Sequence, residues 1–233
     1  MSSLFIDAQR CVSFTGAGLS APSGVQTFRD PVDGLWAKYD PMHLASPEGF
    51  QDDPDLVMRW YAMRREQIAA AKPNAAHVAL ASQSNWVHIT QNTDNLLERA
   101  GASGVLHVHG HIDRDRCHGE CGWSAPIDCA APAPLRHCPN CNEHHARPAV
   151  VWFGEALPED VWGQAVAAVK ACDAFLVIGT SAVVHPAAGL IALARQHGAH
   201  VAVVNVDASP ADAYAHEVHV GSADSIVPRL IGE

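Results

Sequence analysis

The stretch CVSFTGAGLSAPSG, residues 11–24, runs from an apolar segment rich in β-branched and aromatic side chains into a turn with glycines at 16 and 18. A short apolar run of this kind reads as a strand buried on both faces. Gly16 and Gly18 follow it directly, ahead of a helix start made of small residues, and lacking side chains they let backbone N–H groups approach a diphosphate closely. Taken alone, Gly16-x-Gly18-x-x-Ala21 also suits a simple tight turn. The second strand, ending in a ribose-binding acid about 20 residues on, is missing, because DPVDGLWAKYD (30–40) does not read as a strand. An ordinary dehydrogenase is therefore disfavoured.

Working outward, four further apolar runs look like buried strands: WVHIT (86–90), VLHV (105–108), AFLVIG (174–179) and HVAVVNV (200–206). Helical patterns lie between them. In PEDVWGQAVAAVKAC (158–172) Val161, Ala165, Ala168, Val169 and Cys172 recur on one face, with Pro158 suited to a first turn and Glu159 and Asp160 complementing the dipole. In PAAGLIALARQHG (186–198) a proline opens the helix and Gly198 closes it. This alternation predicts an α/β fold with a doubly wound parallel sheet. Two segments interrupt it. Residues 33–75, including LVMRWYAMRREQIAAA, carry helical spacing and no strand pattern, which predicts a helical insert. Residues 113–148 have too few large apolar residues for a core of their own, so that module needs a metal staple. The main domain is then expected over 1–32, 76–112 and 149–233.

The chain has 233 residues and is 48% hydrophobic, enough for one sizeable core. Its net charge of -10 argues against binding a phosphate backbone, so nucleic acid is not an expected partner. No apolar run approaches the roughly 18 residues that span a bilayer, and MSSLFIDAQR does not resemble a secretory signal; a cytoplasmic protein without a membrane partner is expected. Nothing in the chain indicates an oligomeric state.

Seven cysteines in such a chain favour metal ligation over a disulfide framework. The spacing Cys117-x3-Cys121-x16-Cys138-x2-Cys141 brings two close pairs that can close a tetrahedron around one zinc. Cys129, His118, His137, His144 and His145 remain possible substitutes. Four protein ligands leave no open position, so such a zinc would be structural. Just upstream, His107, His109 and His111 alternate at period 2 and would share one face of an extended chain. No acidic or histidine cluster elsewhere has the spacing to make them a second metal site.

The motifs GAGLSAPSGVQTFRD, TQNTDNLLERAG, HVHGH, the paired cysteines, VVWFGE, VIGTSAVVHPAAGL and VVNVD follow one another in the order seen in sirtuins, the NAD-dependent protein-lysine deacylases, and the chain resembles that family over nearly its whole length. The resemblance implies a Rossmann-like domain with a zinc module and a helical insert. It implies that Gly16, Ala17, Gly18, Phe28 and Arg29 line the diphosphate and nicotinamide-ribose side of the NAD site, and that Gln91, Asn92 and Asp94 hold the nicotinamide end. Gly179, Thr180, Ser181, Asn205 and Asp207 would contact NAD from carboxyl strand ends, where turn residues are also common without any ligand. Ala223 would make a late backbone contact to adenine.

By the same resemblance NAD is consumed: the acyl oxygen of an acyl-lysine attacks the nicotinamide ribose carbon, nicotinamide leaves, and the acyl group ends on ADP-ribose. His109 would be the general base for a ribose hydroxyl, with Asn92 and Asp94 as its catalytic companions. Val151, Phe153, Gly154 and Glu155 resemble a strand that pairs with the substrate peptide, which makes acyl-lysine proteins or peptides the expected partners. Tyr61 and Arg64, one helical turn apart, and Ala45 resemble the subgroup that removes succinyl and malonyl groups, for an arginine fork pairs with an acyl carboxylate. Arg64 and Arg65 also fit a solvated helix face. The competing reading is an NAD-dependent protein ADP-ribosyltransferase, with the same cofactor and a different acceptor.

Overall fold

All five residues of strand β1 (Cys11–Thr15) are buried, and each side of the strand carries a parallel neighbour. The computed structural model describes residues 5, 8–26, 40–119 and 121–232; Phe28 and Arg29 lie outside them. The chain divides into two units, one comprising Met1–Thr27, Lys72–Val108 and Pro158–Glu233, the other Phe28–Ala71 and His109–Leu157.

In the first unit, six parallel strands among the described residues lie in the order β3-β2-β1-β7-β8-β9: β2 (Val87–Thr90), β3 (Leu106–His107), β7 (Ala174–Ile178), β8 (His200–Asn205) and β9 (Glu217–Val220) flank β1. Alternation along each strand sends side chains to opposite faces. Val12, Phe14, Phe175, Val177, Val201 and Val203 face a layer containing Ala165 and Val169, from helix Glu159–Ala171, and Leu190, Ile191 and Ala194, from helix Gly189–Gln196. Leu176, Ile178, Ala202 and Val204 face Ala76 and Leu80, from helix Ala75–Ala81, with Val227, Leu230 and Ile231 from helix Ala223–Ile231. Helices therefore cover both faces, as a doubly wound sheet of Rossmann type requires.

Three local features differ from the sequence reading. The expected helix after β1 is instead two short 3-10 turns, Ala17–Leu19 and Ala21–Ser23. Pro22 has no N–H to return to Gly18, and Gly24, at φ +83, ends the second turn. Pro186 lies three residues ahead of the helix that opens at Gly189, whereas Gly198, with φ +88, does follow its end. Strand β9 was not expected, since EVHV is short and its Val218 and Val220 are exposed at the sheet edge.

The second unit holds helices Pro41–Leu44, Pro47–Asp52 and Pro54–Ala70, and an antiparallel sheet in the order β5-β4-β6, from β4 (Gly110–Cys117), β5 (Ser124–Pro126) and β6 (Ala146–Val150). Ser46 and Asp53 cap the second and third helices through their side-chain oxygens. Apolar patterning is weaker here because buried charges sit among the apolar side chains. Arg65 and Asp115 are both fully buried and meet at 2.6 Å, Arg65 Nε donates to the Ile112 carbonyl at 2.9 Å, and Arg136 reaches the other Asp115 oxygen at 3.2 Å. Gly110, with φ +74, is required where β4 meets β6, since a Cβ there would collide with the Ala149 carbonyl. No helix among the described residues is long and apolar enough to cross a membrane.

Removing one partner of a buried ion pair strands the other charge. Arg65→Met is expected to lower the unfolding free energy by about 3 kcal/mol, measured by urea denaturation, whereas Arg65→Met combined with Asp115→Leu should recover much of that loss.

Candidate active site

The carboxyl ends of β1, β2, β7 and β8 in the first unit gather most of the residues expected to hold NAD. Gly16 N–H donates to the Ile178 carbonyl at 2.9 Å and Gly18 N–H to Gly179 at 2.8 Å. A Cβ on Gly16 would stand 2.8 Å from the Gly179 oxygen, and one on Gly18 would stand 2.6 Å from Gly179 Cα. Real Cβ atoms do not come so close, so these glycines are needed for two turns to pack backbone to backbone. Gln91 Nε2 donates to Thr180 Oγ1 at 2.7 Å, and Asn205 Nδ2 to the Thr180 carbonyl at 3.0 Å. Ala17 and Ser181 are half-buried, Asp207 is exposed beyond β8, and Ala223 is buried at the start of the last helix.

Asn92 and Asp94 meet at Ser20, a residue the sequence reading passed over. Asp94 Oδ2 accepts from Ser20 Oγ at 2.9 Å, and Asn92 Nδ2 donates to the same hydroxyl at 3.2 Å. His77, fully buried, lies 3.4 Å from Ser20 Oγ through Nε2, while its Nδ1 accepts the Asn74 N–H at 3.2 Å. Burial pushes His77 down to about 4, so the ring is neutral at neutral pH. An Nδ1 that accepts leaves the single proton on Nε2. The direction of transfer is then set: Nε2–H donates to Ser20, and the Ser20 hydroxyl donates to Asp94. Burial raises Asp94, against which the Leu96 N–H and Ser20 pull downward. The signal for His77 was the local pattern Asn74-x-x-His77, a capping box closing the start of helix Ala75–Ala81.

His107, read from sequence as packing or support, stands behind Asn92: Nδ1 lies 3.0 Å from the Asn92 carbonyl and Nε2 2.7 Å from Glu98 Oε1. Burial is the largest single influence and lowers its pKa, but the hydrogen bond and charge of Glu98, the Asn92 carbonyl and the Asp94 charge together carry the net shift upward. His109 is half-buried and follows Val108 on the chain.

Within the second unit, Val151 N–H donates to the His109 carbonyl at 2.9 Å and Phe153 N–H to the Ala45 carbonyl at 2.8 Å. The expected strand over 151–155 is not formed. Strand β6 stops at Val150, and the following residues turn, with Gly154 at φ +87 and Glu155 N–H returning to the Trp152 carbonyl at 3.0 Å. The Glu155 carboxylate holds this turn, accepting the Trp152 N–H at 2.8 Å, Arg116 at 2.7 Å, and Arg147. On helix Pro54–Ala70, Tyr61 is buried, and the half-buried Arg64 places its guanidinium 5.7 Å from the centroid of the Trp60 ring.

The four expected cysteines come together with all their sulfur atoms within 4.8 Å of one another; Cys117 and Cys141 are 3.7 Å apart, Cys121 and Cys138 3.6 Å. Zinc–sulfur bonds of about 2.3 Å at tetrahedral angles separate sulfurs by about 3.8 Å, so the cluster fits a zinc ion. Asn140 donates to the Cys121 sulfur at 3.4 Å and holds that thiol down to about 6, which favours the thiolate a metal needs. Cys129 and the nearby histidines are not in the cluster.

The Sir2 family profile matches residues 16–186. NAD-dependent protein deacylase 1 of Pseudomonas aeruginosa is 45% identical over 242 residues, covering 98% of this chain and 95% of the relative. NAD-dependent protein deacylase 2 of Pyrobaculum aerophilum is 43% identical, covering 100% and 94%. Among solved structures, a complex of a Sir2 homologue with NAD superposes with a TM-score of 0.92 at 40% identity, over 98% of this chain and 90% of that one. A complex of Sir2, a p53 peptide and NAD superposes with a TM-score of 0.85 at 29% identity, over 98% and 94%.

The neutral His77 carries a pH signature. Its pKa is depressed from the ordinary 6.5 to about 4 in the fold, so the unfolded chain binds the extra proton first and stability falls as pH drops across that window. His77→Gln should remove about 3 kcal/mol of the acid-dependent loss between pH 6.5 and 4, read as a flatter plot of unfolding free energy against pH.

Proposed function

This chain belongs to the Sir2 family and is an NAD-dependent protein deacylase; we propose that it removes succinyl and malonyl groups, as well as acetyl groups, from lysine side chains. NAD would supply the ribose carbon that the acyl oxygen attacks, with nicotinamide as the leaving group, and the ribose hydroxyl on which the acyl group ends. In the proposed assignment His109 takes the proton from a ribose hydroxyl, Asn92 and Asp94 orient the ribose and nicotinamide, and the turn from Val151 to Glu155, with Ala45 beside it, holds the substrate peptide. The relatives bound to NAD and to a p53 peptide support the two substrate classes. The four cysteines Cys117, Cys121, Cys138 and Cys141 serve a structural zinc.

The acidic-acyl reading is carried by the division of labour between two neighbouring arginines. Arg65 is fully buried on Asp115, whereas Arg64, one residue earlier, is half-buried and one turn from Tyr61. The pair Tyr61 and Arg64 then offers a hydroxyl and a planar fork, matched to an acyl carboxylate.

His109→Ala should fold and bind NAD but lose deacylation by on the order of 100-fold or more, measured as nicotinamide release with an acyl peptide. With labelled NAD, label recovered in O-acyl-ADP-ribose supports deacylation, and label fixed on protein supports ADP-ribosyl transfer. Arg64→Met should lower kcat/KM for a succinyl-lysine peptide by roughly 10- to 150-fold and change the acetyl version of that peptide far less. Equal losses on both acyl groups would assign Arg64 to the support of its helix.

A further inference from the structure

We infer that Trp152 is a positioning residue that fixes the Tyr61 hydroxyl as a hydrogen-bond donor toward an acidic acyl group, an inference that rests on the acidic-acyl reading above. A phenol has one hydrogen to give and lone pairs to accept with, and a free rotor can present either. An indole N–H can only donate. Trp152 Nε1 lies 2.8 Å from Tyr61 Oη, so the hydroxyl accepts from the indole and its own hydrogen is directed elsewhere. No acceptor among the described residues takes that hydrogen. An ionised carboxylate accepts and never donates, so a hydroxyl held in this polarity matches an acidic acyl group. Burial also pushes Tyr61 up to about 12, which keeps the hydrogen in place across the pH range of an assay.

Trp152 is itself held at its ring and at its backbone. Arg147 lies over the ring face, 3.9 Å from the centroid, where its charge draws electron density from the ring and strengthens the N–H as a donor. Arg147 is in turn paired with Glu155, whose other oxygen accepts the Trp152 backbone N–H at 2.8 Å. Phe50 packs against the indole at 5.3 Å between centroids, and Trp152 is among the most deeply buried side chains of the chain. One residue thus joins the turn proposed to hold the peptide to the helix proposed to read the acyl group.

The readout is the ratio of kcat/KM for succinyl and acetyl versions of one peptide. Effects of a Trp152 variant on peptide binding are common to both peptides and cancel in that ratio. Trp152→Phe keeps an aromatic ring and deletes the donor, and the ratio should fall roughly 2- to 12-fold, the worth of one neutral hydrogen bond, mainly through KM of the succinyl peptide. In a Tyr61→Phe background the same change should leave the ratio where Tyr61→Phe alone puts it. Benzothienylalanine at position 152, with sulfur in place of the N–H and the indole shape retained, gives the same reading if Trp152→Phe folds poorly. An unchanged ratio in the native background would overturn the inference, and so would an equal fall in both backgrounds. Arg64→Met, run alongside, separates the two levels: if it lowers the ratio while the Trp152 variants do not, the acidic-acyl reading stands and the role of Trp152 fails.

Discussion

No side chain fits between the turn after β1 and the turn after β7. Gly16 and Gly18 donate their N–H groups to Ile178 and Gly179, and any Cβ on these glycines would fall within 3 Å of the facing backbone. The contact sets how the ends of the central strands lie. Two residues beyond Gly18, Ser20 comes within hydrogen-bond reach of Asn92 and Asp94, and one beyond Gly179, Thr180 comes within reach of Gln91 and Asn205. Polar residues collect at this end because both faces of the sheet are sealed by apolar helices, leaving the carboxyl ends of the strands as the place where the sheet can present chemistry.

Inside that cluster the hydrogen bonds have a direction. It starts from the Asn74 N–H, which fixes the His77 tautomer, passes through Ser20 and ends on Asp94. Burial disfavours the charge on Asp94, and the donors aimed at it from Ser20 and Leu96 favour the charge, so its ionisation depends on groups already in place. Donors oriented before a ligand arrives need no reorganisation when it binds. His107 supports the same residues from behind by holding the Asn92 carbonyl against Glu98.

Strands β1, β7 and β8 could be read from sequence because burial on both faces demands continuous Val, Ile, Leu and Phe, and the doubly wound class of the sheet followed from their alternation with helices. The second unit was harder to read for the opposite reason. Strand β4, GHIDRDRC, is stabilised by ion pairs and backbone pairing to β6, and neither leaves an apolar period in the sequence. The four cysteines were visible because metal ligation imposes a spacing, whereas Ser20 was hidden because a hydroxyl that connects distant residues has no local pattern. The strand that the family resemblance implies at 151–155 gives way to a turn because the carboxylate that bends it, Glu155, acts through Arg116 and Arg147 from elsewhere in the chain.

Two adjacent arginines show how a polar interior can position a surface. Successive helical residues point about 100° apart, so Arg64 and Arg65 cannot share an environment. Arg65 donates to the Ile112 carbonyl, the Arg114 carbonyl and Asp115 at once, which a lysine, with its single nitrogen at the end of a flexible stem, could not do in the same geometry. A charge so deeply buried is tolerated only while those acceptors stay aligned, because its desolvation is costly. The rotation of helix Pro54–Ala70 about its own axis is therefore set by what Arg65 must reach on β4. The direction of Arg64 and Tyr61 follows from that rotation, because residues one and four positions from an immovable anchor have little freedom of their own.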